Sequence, residues 1–274
     1  MERYCIYTKN IDKLEVKTVL KNDIEKRLEK IQGRKSFYYK NLVTGNAIAI
    51  NGDMPMMAAS VIKIPIMVEA FRQIESKVID RNQKYILKNE DKLPSCGILN
   101  RLHEGLELTV QDLYNLMIVL SDNTATNQLI RILGRERINQ SMKELGYDTI
   151  RVNRYLFDSE AAAQGKENYI SADEIADMLE KMYFGRLVSK EADEEMLTVL
   201  KEQKLNGKIP FLFNRKVTIA HKTGEDTGIT HDVGIVYGKE PFILCCLGNE
   251  VTTCEFERFM QDIAWEIYQE GEKR

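Results

Sequence analysis

Ser60 and Lys63 pair a hydroxyl with an amine, a combination that can form a nucleophile and its base. They stand three residues apart in the apolar stretch AASVIKIPIMVEAF, residues 58–71. Residues at this spacing share one face of a helix, so the hydroxyl and the amine can be neighbours at its first turn. A serine hydroxyl becomes a nucleophile when a base takes its proton, and burial lowers the pKa of a lysine so that its neutral amine can be that base. The structural alternative is a chance pattern in which Lys63 extends to the surface.

Two further triplets predict that the pattern is not accidental. Ser121-Asp122-Asn123 directly follows an amphipathic segment, and Lys222-Thr223-Gly224 ends a predicted strand. At average residue usage, each triplet arises by chance in about one chain in twenty of this length. The order and context of the three motifs therefore indicate one catalytic constellation. In it, Ser121 can relay a proton to a leaving nitrogen, and the amide of Asn123 can hold both Lys63 and a substrate carbonyl.

The residues Lys222-Thr223-Gly224 supply groups that can bind a substrate. Lys222 offers positive charge for a substrate carboxylate, and Thr223 adds a hydroxyl donor. Gly224 lets the strand edge approach a ligand closely. We expect the backbone N–H groups of Ser60 and Glu225 to form an oxyanion hole.

These motifs resemble those of the class A β-lactamases and penicillin-binding proteins, and the resemblance extends over roughly residues 20–270. It implies that Ser60 is acylated by a β-lactam or a related amide or ester, and that water then releases the product. It also implies that Lys63 and Ser121 transfer protons. Substrate binding falls to a further set: Asn123, Lys222, Thr223 and Gly224. Such a hydrolase cleaves cyclic amide C–N bonds, acts in β-lactam antibiotic catabolism and resistance, and needs no cofactor or metal.

The resemblance breaks at the residue that activates the deacylating water. Class A β-lactamases carry a glutamate on a loop after the helical lobe, whereas alignment of residues 153–155 with the start of that loop places Leu156 there. Leucine cannot accept a proton. Glu167 is the favoured substitute because Asn168 follows it, and the family loop also uses an asparagine to hold the water. Asp158 and Glu160 are further candidates, and each of the three carboxylates could instead be solvated.

Two smaller departures lie at the rim of the predicted site. Cys96 occupies the approximate place of an aromatic residue that gates the family's pocket. Thr230 replaces the auxiliary arginine that the family carries after the Lys-Thr-Gly motif. Both changes weaken the expectation of efficient penicillin turnover.

Apolar periodicity and turn residues predict an α/β (α+β) fold. Helix is expected over residues 11–32 up to Gly33, a hairpin over 36–53, helices over 108–120 and 171–185, strands over 216–224, 231–238 and 241–249, and a final helix. The antiparallel sheet is thus built from both chain ends and flanked by helices, with an inserted helical subdomain at about 72–212. Residues 1–20 are expected to be an N-terminal extension, and 21–274 the hydrolase domain.

Composition excludes several other classes of function. The net charge is -3 and the sequence pI is about 5.8, which gives no electrostatic footprint for nucleic acid. The three histidines and five cysteines lack zinc-ligand spacing, and the cysteines are expected to be small apolar core residues in a reduced compartment. The start of the chain has no signal-peptide pattern and no apolar run spans a membrane. The sequence as it stands predicts a cytoplasmic monomer without membrane contact, and export only if a leader has been removed.

Three functions remain open at this point. The leading hypothesis is a class A β-lactamase type hydrolase. The second is a penicillin-binding or D-Ala-peptide-processing protein that releases its acyl group slowly or to another acceptor. The third is a sensor that keeps a long-lived acyl-enzyme because Leu156 has replaced the deacylating glutamate. A small β-lactam or acyl-D-Ala-like molecule is the expected partner in each case.

Overall fold

Nine strands and nine helices organise the part of the chain that the computed structural model describes, residues 19–214 and 216–273. The strands are β1 (Arg34–Asn41), β2 (Ala47–Ile50), β3 (Met56–Met57), β4 (Lys84–Ile86), β5 (Glu107–Thr109), β6 (Tyr169–Ile170), β7 (Thr218–Asp226), β8 (Ile229–Tyr237) and β9 (Phe242–Asn249). The helices are α1 (19–29), α2 (Lys63–Glu75), α3 (Val110–Val119), α4 (Asn123–Leu133), α5 (Arg135–Glu144), α6 (Ser159–Ala163), α7 (Ala172–Tyr183), α8 (Lys190–Lys201) and α9 (Thr253–Glu272).

The central sheet joins the two ends of the chain. Its five strands run antiparallel in the order β2-β1-β9-β8-β7, and all the helices from α2 to α8 lie between β2 and β7 in sequence. The junction is the β1–β9 pair, in which Phe37 stands opposite Cys246 and Tyr38 opposite Cys245. The predicted antiparallel sheet from both chain ends, flanked by helices, is confirmed. None of the helices in the described ranges has the length and apolarity that crossing a membrane requires.

The adjacent cysteines show that the sheet is covered on both faces. Cys245 packs into the core shared with the inserted helices, and Cys246 packs into the core beneath α1 and α9. Alternation along a strand sends neighbouring side chains to opposite faces, which accounts for this division. The expectation of buried cysteines is wrong for Cys96, which is half-buried, and for Cys254, which is exposed. Cys5 lies outside the described residues.

Local signals placed most helix ends. Thr109 and Asp112 form the predicted capping box at the start of α3, with Thr109 Oγ1 3.0 Å from the N–H of Asp112. Ser171 likewise caps α7, which ends at Tyr183. Residues 11–18 of the predicted first helix, and nearly all of the expected N-terminal extension, lie outside the described residues.

One strand runs further than its sequence pattern predicted. β7 continues past Gly224 to Asp226, because it pairs with β8 as far as Ile229 across a tight turn. Gly228 in that turn has φ +68°, a left-handed conformation that glycine adopts without steric cost. Lys222-Thr223-Gly224 therefore lies inside a paired strand, which holds these residues more rigidly than a strand end would.

Candidate active site

Ser60 lies in a tight turn that leads directly into α2. The turn is a 3₁₀ segment over Ala59–Ile62, and the α-helix itself begins at Lys63. Ala59 has φ +41°, a left-handed conformation that costs a non-glycine residue about 1–3 kcal/mol. The backbone N–H of Val61 donates to the carbonyl of Ala58 at 3.0 Å and closes the turn. The expected place of Ser60 at a helix start is thus modified: it precedes the helix, on a strained corner.

Lys63 is fully buried, and its amine gathers the polar groups of two motifs. Nζ lies 2.8 Å from Ser60 Oγ and 2.9 Å from Ser121 Oγ. It also lies 2.8 Å from the carbonyl oxygen of Ser121 and 2.9 Å from Asn123 Oδ1. The structure therefore brings Ser60 and Lys63 together with Ser121 and Asn123, as the motifs predicted.

The four contacts fit a neutral amine. The carbonyl of Ser121 and the Oδ1 of Asn123 can only accept, so they take the two N–H groups of a neutral Lys63. Its lone pair then remains for a hydroxyl proton. Burial is the main cause that lowers the pKa of Lys63 well below its usual value, and the charge of Lys222 lowers it further. A neutral amine beside a serine hydroxyl can act as a general base.

The Ser121 turn is held by the carboxylate that follows it. Ser121 has φ +54°, and Asp122 is buried. The carboxylate of Asp122 accepts three backbone N–H bonds, from Ile98 at 2.7 Å, Leu99 at 2.9 Å and Ala125 at 2.9 Å. These bonds cap α4 and fasten the preceding loop to the turn, so Ser121 keeps its conformation without a glycine.

Gly97 makes this fastening possible. Its φ is +107°, and a Cβ there would overlap the carboxylate of Asp122. The same loop contacts Asn123, whose backbone N–H donates to the carbonyl of Cys96 at 3.2 Å and whose side-chain Nδ2 donates to Pro94 at 3.2 Å. Cys96 thus lies beside Ser121-Asp122-Asn123, in the region where the sequence placed it. One N–H of the Asn123 amide is left for a ligand.

Lys222 completes the polar cluster from the sheet. It is fully buried on β7, and its Nζ donates to Ser121 Oγ at 3.1 Å and to the carbonyl of Thr223 at 2.8 Å. Burial lowers the pKa of Lys222 to about 7; Asp232 opposes this shift and the charge of Lys208 adds to it. Ser121 Oγ therefore bridges the two lysines, which suits a hydroxyl that passes a proton between neighbouring groups.

Gly224 lies against the nucleophile turn. A Cβ at this position would meet Val61 Cγ2 at 3.2 Å and the carbonyl oxygen of Ala58 at 3.3 Å. A side chain would push β7 away from the turn that carries Ser60. Glycine thus suits the close approach of the strand to this turn, and the predicted close approach to a ligand stays a prediction.

The loop over residues 153–168 is anchored at two points. The amide of Asn127 on α4 exchanges two hydrogen bonds with the backbone of Leu156, at 2.9 and 3.0 Å. The side-chain Oδ1 of Asn168 accepts from the N–H groups of Asn153 and Arg154, and its backbone carbonyl accepts from Ala58 at 2.8 Å. Asn168 therefore connects this loop to the nucleophile turn, and its Oδ1 and its backbone carbonyl oxygen both accept from backbone N–H groups.

Two of the three candidate carboxylates of the loop, Glu167 and Asp158, accept hydrogen bonds within it. Glu167 is paired with Arg154, whose Nε and Nη2 lie 3.0 and 2.8 Å from Oε2. Asp158 caps α6 through the N–H of Ala161, and Glu160 lies in the first turn of that helix. Within residues 19–214 and 216–273, no hydrogen bond or ion pair joins any of them to Ser60 or Lys63.

Lys208 belongs to the site and was not predicted from the sequence. Its side chain is buried, and Nζ donates to the carbonyls of Gly224 and His231 at 3.1 Å each. Thr230 donates to Glu257 at 2.9 Å, beside Lys208. A lysine in a short polar connection carries no local signal, and only the pairing of β7 with β8 reveals its place. In the described part of the chain, no group of His, Cys, Asp and Glu side chains could hold a metal ion.

Similarity to known proteins follows the same constellation. The sequence profile of the β-lactamase enzyme family matches residues 18–270. β-Lactamase VEB-1 of Pseudomonas aeruginosa is 25% identical to this chain, and the match covers 81% of each of the two chains. The crystal structure of a β-lactamase from Sphaerobacter thermophilus is 28% identical, with a TM-score of 0.83 over 90% of this chain and 95% of that one.

A second solved structure shares the fold at lower identity. PBP-A is 24% identical, with a TM-score of 0.85 over 94% of this chain and 97% of that one. A leucine-to-glutamate mutant of PBP-A has also been solved, as an acyl-enzyme complex with penicillin G. With a family match over most of its length, the chain belongs to the β-lactamase enzyme family of serine hydrolases.

Proposed function

We propose that the protein forms an acyl-enzyme at Ser60 with a β-lactam or a related amide or ester, and that water releases the acyl group slowly. The observation that carries the proposal is the fully buried Lys63 amine, 2.8 Å from Ser60 Oγ. Burial lowers the pKa of Lys63 well below its usual value, which favours the neutral amine that can act as a base.

Acylation needs one proton transfer at each end. Lys63 takes the proton of Ser60 as Oγ bonds to the carbonyl carbon, and the oxyanion is held by the N–H groups of Ser60 and Glu225. The C–N bond then breaks, and Ser121 passes a proton from Lys63 to the leaving nitrogen. The proton that left Ser60 thus ends on the amine product, and Lys63 is neutral again.

The remaining groups recognise the substrate. The free N–H of the Asn123 amide donates to a substrate carbonyl, while Lys222 and the hydroxyl of Thr223 face an anionic or polar group beside the scissile bond. Lys222 has a pKa of about 7, so its positive charge is present in part of the molecules at neutral pH.

Slow release is proposed because, among the described residues, no carboxylate of this loop is joined to Ser60 or Lys63 by a hydrogen bond or an ion pair. Leu156 has no proton acceptor, and Glu167 is occupied by Arg154. The existence of a leucine-to-glutamate mutant of PBP-A, captured as an acyl-enzyme with penicillin G, supports the same exchange as a test at Leu156. A second candidate is rapid hydrolysis with Glu167 as base. The carboxylate would then have to leave Arg154; the adjacent Asn168 favours this candidate, although its Oδ1 already accepts two backbone N–H bonds.

Time-resolved intact mass with a penicillin and a chromogenic cephalosporin tests the proposal. We expect a stoichiometric adduct on the native protein, long-lived compared with its formation, and none on Ser60→Ala. Ser76→Ala, at the opposite end of α2 and with a hydroxyl bound only to backbone, is the matched control and should label normally. An adduct on Ser60→Ala would refute the nucleophile. An adduct that clears within seconds while product accumulates would favour the second candidate.

A further inference from the structure

Glu225 places a carboxylate at the recognition end of the site. It stands two residues after Thr223 on β7, and strand alternation gives these two residues the same face. Lys222 and Gly224 have the opposite face, towards Ser121 and the nucleophile turn. The Glu225 side chain is 58% exposed, so its charge lies at the open side of the strand.

The nearest additional cation is already used by this carboxylate. Lys208 Nζ contacts three acceptors, each at 3.1 Å: the carbonyls of Gly224 and His231, and Glu225 Oε1. An ammonium has three N–H donors, so Lys208 has none left for a ligand. The charge of Glu225 also reaches Lys222, because it acts to raise the pKa of that lysine.

A substrate carboxylate would therefore meet an internal competitor. If Lys222 and Thr223 bind such a group, it comes near the like charge of Glu225, and Lys208 cannot compensate while it is bound to Glu225. An uncharged or cationic group at the same place avoids this repulsion. Like-charge juxtaposition is a common way for a binding site to reject one ligand class.

We propose that Glu225 is a specificity-determining residue that biases the site towards amides or esters whose group beside the scissile bond is neutral or cationic rather than a carboxylate. This inference rests on the proposed function, because it concerns the same site. It also assigns Lys208 a structural part, since this lysine holds the Gly224–Glu225 peptide by its carbonyl and the Glu225 carboxylate at once.

The test compares one charge in the protein with one charge in the substrate. Rates of acylation are measured for benzylpenicillin and its uncharged methyl ester with the native protein, Glu225→Gln and Asp226→Asn. We expect the rate ratio of acid to ester to rise about fivefold in Glu225→Gln, the scale of one solvent-exposed charge pair. The gain should shrink at 1 M salt because it is electrostatic.

Asp226→Asn is the matched control. Asp226 is the next residue of β7, is exposed, and lies at the turn end of the strand on the face of Lys222 and Gly224, whereas Glu225 shares the face of Thr223. Its replacement removes the same charge from the protein but should leave the ratio unchanged. A ratio unaffected by Glu225→Gln, or raised equally by Asp226→Asn, overturns the inference.

Failure of the proposed function gives a different result. In that case neither compound labels any of the three proteins. The ratio is then taken from the equilibrium affinities of the acid and the ester, measured by titration of the same proteins. A ratio of affinities that rises only in Glu225→Gln would still support the inference, and equal ratios would refute it.

Discussion

The Ser60–Lys63–Ser121 cluster and the loop over residues 153–168 have opposite characters, although both border the nucleophile turn. In the cluster, every polar side chain contacts another group that could move a proton, and both lysines are fully buried. In the loop, Asn168 accepts from two backbone N–H groups, and Glu167 is paired with Arg154. One region is arranged for chemistry and the other for its own stability.

Under the proposed function, formation and release of the acyl-enzyme therefore depend on separate parts of the fold. The first depends on side chains from α2, the Ser121 turn and β7. The second depends on one loop position, residue 156, whose backbone is fixed on Asn127. A change in the loop can therefore alter the lifetime of an adduct and leave its formation intact.

The largest effect is expected from removal of the Lys63 amine, the proposed base of the cluster. Lys63→Met should slow acylation by about 10²–10⁴-fold, the usual contribution of a general base. The fold should persist, because an apolar side chain of similar length replaces a buried amine. Quenched-flow intact mass measures the rate, with Lys143→Met on the exposed face of α5 as control. Acylation within threefold of the native rate would show that another group takes the Ser60 proton.

A glutamate at position 156 should change the release of the acyl group without changing its formation. Leu156→Glu supplies a carboxylate on the anchored loop, and we expect the adduct lifetime to shorten by about 100-fold or more while the acylation rate changes little. Leu156→Gln has nearly the same shape without a base and should keep the long lifetime. If the glutamine variant also clears its adduct, loop geometry and not proton transfer controls release.

The pH dependence of acylation tests the charge of Lys222. Its pKa of about 7 means that its positive charge is present below that pH and is lost as the pH rises through it. Acylation by an anionic β-lactam should therefore fall, by about tenfold between pH 7 and 8.5, if only the charged form binds the carboxylate. The neutral ester should show no such fall. A parallel decline for both compounds would mean that Lys222 acts in proton transfer instead.

The smallest effect is expected at Glu167. Glu167→Gln removes a partly exposed ion pair with Arg154, which should cost about 1 kcal/mol of unfolding free energy. The adduct lifetime should stay within twofold. Denaturant unfolding and adduct decay are measured together, with Arg154→Met as partner in a double-mutant cycle. A lifetime extended tenfold or more would identify Glu167 as the base and remove the contrast between the two regions.

The features that could be predicted from the sequence are those with local signals. Each of these signals lies within a few residues: the three short motifs in their order, the Thr109–Asp112 capping box and the alternating apolar strands. The convergence of Lys63, Ser121 and Lys222 followed from the motifs, since such chemistry requires it. Their distances and the strained corners at Ala59 and Ser121 did not.

The rest depends on contacts between residues far apart in the chain. The use of Asp122 to hold Ile98 and Leu99 spans more than twenty residues and needs Gly97 to leave room. The occupation of Glu167 by Arg154 could not be read from composition, because a loop carboxylate beside an arginine is equally often solvated. Lys208 became visible only when β7 and β8 were paired.

The pairing of β1 with β9 has a consequence for synthesis of the chain. The first hairpin, residues 34–50, leaves the ribosome about 200 residues before its central neighbour. At 5–20 residues per second this delay is about 10–40 s, during which one edge of β1 has no permanent partner. The inserted helices can pack first, but the sheet closes only when the last strand arrives. Folding during translation is therefore completed by the C-terminal fifth of the chain, and an incomplete chain presents an open strand edge to chaperones or to other copies.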